Sequence, residues 1–116
     1  MAIFKTKMTL EEYKQFWPII IGIVDEFRRN SDMILVEEDF KSEIANSFYA
    51  STVEFLKNEV LQIPPEWVFK KNYYLKTPWF ANDYKSAELR ILIMIETPVE
   101  FKSRNIYIEK HTFSRC

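Results

Sequence analysis

The stretch "SAELRILIMIE", residues 86–96, decides the fold. Six of the seven residues from Leu89 to Ile95 are apolar, which fits a buried strand or a buried helix. Ala87, Glu88, Leu89 and the length of the run favour helix. Thr97-Pro98 ends it, because the residue before a proline is pushed out of helical geometry. Pro98 then suits the first position of a short helix reaching Ser103. Ile106 to Ile108 is extended or one helical turn.

Working toward the N-terminus, "NYYLKTPWFANDY" is a long irregular section, aromatic and basic, with Asp83 or Asn82 placed to cap the next helix. Pro65 to Phe69 forms one turn, and the proline after Ile63 stops a second long helix over about 38–60. Glu37, Glu38 and Asp39 precede that helix and complement its dipole; calcium-loop spacing is absent, and so is the loop's glycine. Ile44, Phe48, Phe55 and Leu56 form its buried face, with Ala45, Tyr49 and Thr52 alongside. Met33 to Val36 is a short strand or an apolar loop.

Leu10, Tyr13, Trp17, Ile20, Val24 and Phe27 recur at spacings of three and four, one apolar stripe of a helix ending near Arg29. Thr9 and Glu12 make a capping box, Met8 and Tyr13 a hydrophobic staple, and residues 1–8 an arm. Pro18 and the lone glycine, Gly22, bend this element around the core. They leave it either kinked or split in two, with Pro18 opening the second helix. The expected fold is all-α: one domain, residues 1–116, a compact bundle of four to six helices with a long aromatic loop and room for a short strand.

Composition removes several classes of function. One glycine leaves no phosphate-cradling loop or dinucleotide fingerprint. One His and one Cys, the terminal Cys116, leave no ordinary zinc site, no disulfide framework and no expected cofactor or metal. His111 has no serine in a nucleophile-elbow context to work with. The longest apolar stretch, Phe16 to Val24, is about half of the roughly 20 residues a membrane span needs, and residues 1–15 contain no signal-like apolar run. A soluble cytoplasmic protein with no membrane attachment is expected. Residues 1–66 carry seven Lys/Arg against twelve Asp/Glu, and residues 67–116 nine against five. The acidic half can attract the basic half, or the basic half can face a partner.

Two stretches are candidate sites. "WVFKKNYYLKTPWF" interleaves Lys70, Lys71 and Lys76 with Trp67, Phe69, Tyr73, Tyr74, Trp79 and Phe80. Rings plus cations suit a nucleic-acid single strand, and the same residue types suit a protein partner. "ETPVEFKSRNIYI", residues 96–108, holds Glu96, Phe101, Lys102, Arg104 and Asn105. Arg104 can reach back to Glu96 or Glu100, and Asn105 can take the left-handed conformation that closes a helix.

Three ordered patches in residues 64–116 carry a resemblance: Pro65-Glu66-Trp67; Pro78-Trp79-Phe80; and Glu96, Thr97, Pro98, Phe101, Lys102, Arg104, Asn105, Ile106, Tyr107 and Ile108. This half resembles an uncharacterised bacterial family with the pattern P-x-W, "PWF", then E-[ST]-P-x-x-F, basic residues and N-[IV]-[FY]-[IV]. Its members stand alone or follow helix-turn-helix regions, and some look like antitoxin or accessory components beside a toxin. The present chain lacks the short turn between two helices that such a DNA-binding region needs. The resemblance implies a bacterial module and a patterned C-terminal corner. The expectation is a non-catalytic interaction or regulatory module, antitoxin-like, binding a protein partner or itself through Trp67, Trp79, Phe80, Glu96, Phe101, Lys102, Arg104 and Asn105. The alternatives are a nucleic-acid binder, and a small-ligand binder or enzyme with a pocket under the 72–80 loop.

Overall fold

The computed structural model describes residues 10–82 and 84–113, with side chains from Glu12 onward. The capping box on Thr9, the staple on Met8, the arm 1–8 and the capping role of Asp83 lie outside the described residues. Four α-helices are present within them: α1 (Leu10–Arg29), α2 (Glu43–Glu59), α3 (Ala87–Glu96) and α4 (Val99–Lys102). Two 3-10 turns, Glu66–Phe69 and Lys71–Tyr73, follow α2. Two-residue strands β1 (Trp79–Phe80) and β2 (Ile106–Tyr107) pair in parallel, Trp79 with Ile106 and Phe80 with Tyr107. The protein is mainly α, as the periodicity predicts, and the short strand falls in the aromatic loop rather than at 33–36.

Helix α1 runs unbroken through Pro18, whose missing hydrogen bond falls on an exposed turn. Its buried line is Phe16, Ile20, Val24 and Phe27, with Tyr13 and Trp17 half-buried beside it. A Cβ at Gly22 would meet no atom within 4 Å. Gly22→Ala is therefore expected to stabilise the fold by about 0.5–1 kcal/mol, read as a higher urea midpoint. A lower midpoint would mean that Gly22 serves as a hinge.

Helix α2 starts at Glu43, five residues later than the acidic run suggests. The reason lies in the side chains before it. Asp39 accepts from the Lys41 amide at 2.9 Å, and Asn46 Oδ1 accepts from the Phe40 amide at 2.7 Å. These bonds hold a turn with Lys41 at φ 61° and leave Ser42 as the N-cap, accepting from the Ala45 amide. Rather than offering one apolar face, α2 is buried nearly all round and touches α1, α4 and both 3-10 turns. Its buried hydroxyls are satisfied: Ser51 donates to Ser47 O at 2.8 Å, Thr52 to Phe48 O at 2.8 Å, and Ser47 to Tyr73 O.

The C-terminal segment closes the core. Phe101, Ile106, Ile108 and Phe113 are buried against α1 and α2. Phe48 sits at the centre, with the rings of Phe16, Trp17, Trp79, Phe101 and Phe113 at 5.3–6.2 Å.

Helix α3 departs from expectation. The segment is helical, capped by Ser86 rather than Asn82, yet it is not buried. Ile93 alone among its side chains is buried, against a small satellite cluster of Phe80, Tyr84 and Tyr107. The space over α1 and α2 is already filled by the segment from Phe101 to Phe113, so α3 stands outside it. No helix among the described residues is long and apolar enough to cross a membrane.

Candidate functional site

The 96–108 corner is a structural joint. Arg104 is fully buried. Its Nη1 donates to Glu54 Oε1 and to the Glu100 carbonyl, both at 2.6 Å, and its Nη2 donates to the Val68 carbonyl at 2.8 Å. The guanidinium also lies 4.8 Å from the Tyr74 ring centre, while Nε has no hydrogen-bond partner. One side chain thus joins α2, the first 3-10 turn and α4.

Arg104 does reach back to Glu100, but to its carbonyl: neither the Glu96 nor the Glu100 carboxylate pairs with it. Glu96 lies 3.9 Å from Lys110 Nζ, and Glu100 accepts from Asn58 at 2.8 Å. The overlooked Glu54 carried a signal, being the one charge in the run from Ile44 to Leu56. A lone acid inside such a helix calls for a cation.

The other residues of the corner serve it. Asn105 has φ 63°, the left-handed conformation expected; its Nδ2 donates to Leu75 O at 2.9 Å, and its Oδ1 accepts from Tyr107 at 3.1 Å. Phe101 is core, and Lys102 Nζ donates to Ile95 O at 3.0 Å, at the C-terminal end of α3. The Thr97 hydroxyl lies 2.6 Å from Ile93 O and accepts from the Ile108 amide at 3.1 Å, tying α3 to the strand end.

The aromatic loop is similarly occupied. Trp67 stacks on Tyr49 at 5.6 Å and meets Tyr73 edge-on. Trp79 packs on Phe48 and Tyr13, and Phe80 on Tyr84 and Tyr107. Lys70 is engaged by Glu37 at 2.9 Å. The Tyr73 hydroxyl donates to the same carboxylate, holding Glu37 below the usual carboxylate range, with Lys70 second. Burial, then the bond to Glu37, pushes Tyr73 up. Asp39 falls to about 2 because the Lys41 amide and then Asn46 donate to it. Attraction between the acidic and basic halves is thus realised within the molecule, in Glu54–Arg104 and Glu37–Lys70.

A cavity of about 720 Å³ does lie beside the 72–80 loop, but its walls are the start of α2 with the turn before it, including Asp39, Lys41 and Asn46, and, from the loop, Asn72, Leu75 and Lys76. Trp79, Phe80 and Arg104 do not line it. Glu96, Arg104 and Asn105 do not converge on free space; each is engaged elsewhere.

The surface without internal employment is α3. Leu89, Ile91, Leu92, Met94 and Ile95, with Val99 at the start of α4, are all exposed; Ile91 is 57 %, Ile95 67 % and Val99 68 % accessible. Arg90, the helix's cation, is exposed as a residue, while its Nε donates to Tyr84 O at 2.6 Å and its guanidinium lies 5.7 Å from the Phe80 ring centre. A second, looser apolar group is formed by Ile34, Leu61 and Ile63, the first and last of which line a cavity of about 400 Å³. The apolar run of α3 is plain in the sequence, where it reads as core. The run has apolar residues on every side and one cation, a pattern that calls for cover without saying what supplies it.

No family model matches the chain, and neither a curated protein nor a solved structure matches it.

Proposed function

We propose that this protein is a non-catalytic interaction module whose binding element is α3. One observation carries the reading: a helix with apolar residues on every side is exposed along its outer face. Such a helix is stable in water only when something covers it, and contiguous apolar patches of this kind mark interaction surfaces. Of the residues proposed from sequence, Phe80, Lys102 and Arg104 would support that face rather than form it. Phe80 and Tyr107 seat Ile93, Lys102 caps the end of α3, and Arg104 fixes the corner from which the helix projects. A cytoplasmic regulatory or accessory role in a bacterium, of the antitoxin kind, rests on the resemblance of residues 64–116. The nucleic-acid reading is weaker, because Trp67, Tyr73 and Trp79 already pack on other rings and Lys70 is paired.

A photo-cross-linking residue at position 91, with position 14 on exposed α1 surface as control, tests the reading in producing cells. Light is expected to give a discrete adduct from position 91 and none from position 14. No adduct from position 91, or the same smear from both, would remove α3 as the binding element.

A further inference from the structure

We propose that the occupant of the α3 face is a second copy of this chain, packed antiparallel about a two-fold axis. The inference rests on the reading of α3 as an interaction face and adds what covers it.

Area is the first argument. Ile91, Leu92 and Ile95 with Val99, flanked by Leu89 and Met94, present on the order of 400 Å² of apolar surface. A stable interface buries about 800 Å² per partner, of which a little over half, about 450 Å², is apolar. One face of this size, met by its own copy, comes close to that.

Charge is the second. Ile91, Leu92 and Ile95 lie on one side of the helix, with Glu88 one turn before them, so the middle of the face carries no charge. Two copies can therefore meet without opposing like charges at the centre. A parallel pair would set Glu88 on Glu88. An antiparallel pair with Leu92 against Ile95 of the second copy sets Glu88 near Val99 and Lys102 of that copy. The whole chain carries a net charge of −1, so long-range repulsion between copies is small. An anionic lipid surface is less well served, because the cations beside this face, Arg90 and Lys102, already donate to backbone carbonyls.

Sedimentation velocity on the purified full chain, from about 1 µM to about 200 µM, tests this. A single monomer–dimer equilibrium is expected. Ile95→Glu should weaken it at least about 100-fold, because the substitution enters the interface twice. Ile34→Glu, on the separate apolar group, should leave it unchanged. Circular dichroism melting at monomeric concentration confirms that Ile95→Glu folds; should it fail, Ile91→Glu replaces it. A monomer throughout, a ladder of larger species, or a dimer broken by Ile34→Glu but not by Ile95→Glu would each overturn the inference. A monomer that still gives a position-91 adduct of another mass in cells would leave α3 as a binding element with a different occupant.

Discussion

Arg104→Ala is expected to remove about 3–5 kcal/mol of folding stability, read from urea denaturation at a concentration where the chain is monomeric. The side chain is fully inaccessible, so its loss leaves the Val68 and Glu100 carbonyls without their donor and strands Glu54 beside a void. For a domain of this size that is a large fraction of the total. Arg104→Lys should recover only part of it, since one ammonium cannot span three acceptors on three elements as a planar fork does. Glu54→Gln should also cost about 3 kcal/mol, because the amide oxygen still accepts but the fully buried guanidinium loses its countercharge. The folded fraction of Arg104→Ala should keep its α3-mediated association, since the guanidinium never reaches that surface. Unchanged stability with lost association would show that Arg104 acts at the interface and would overturn the joint described above.

Phe48→Ala is expected to cost a similar amount, about 3–5 kcal/mol, through a cavity at the meeting point of five rings. The cavity cannot collapse easily, because those rings belong to α1, β1, α4 and the C-terminal segment, which other contacts hold in place. Phe48→Leu, which keeps most of the volume, should cost about 1.5 kcal/mol or less. Trp17 and Trp79 lie directly against the site, so their fluorescence should shift in the folded Phe48→Ala protein. An unchanged melting curve would mean that the core closes without this ring.

The two long helices were legible because their burial follows from local pattern. The Ile20, Val24 and Phe27 stripe and the Ile44–Leu56 run are visible wherever they are read. Left-handed Asn105 and the turn at 66–69 were legible for the same reason, each being a short-range preference. What escaped depended on residues far apart in the chain. The choice of Glu54 over Glu96 as the partner of Arg104 is made by α2 lying beneath α4, which no spacing encodes. The exposure of α3 escaped for a complementary reason. Hydrophobicity predicts that a segment will be covered, and the pattern within one chain does not say whether the cover is its own core or another molecule. The candidate residues read as contact groups in the sequence; in the structure Phe101 and Arg104 are buried and Trp67, Trp79 and Phe80 pack on other rings.

The five rings around Phe48 also bear on how the chain is made. Phe16 and Trp17 leave the ribosome before it, but Trp79, Phe101 and Phe113 emerge long afterwards. Helices α1 and α2 must therefore wait with their apolar sides uncovered, and the core can close only when the C-terminal segment arrives. Nearly the whole domain then condenses in one step, and the nascent N-terminal half spends that interval as a ready client for any chaperone that binds exposed aromatic surface.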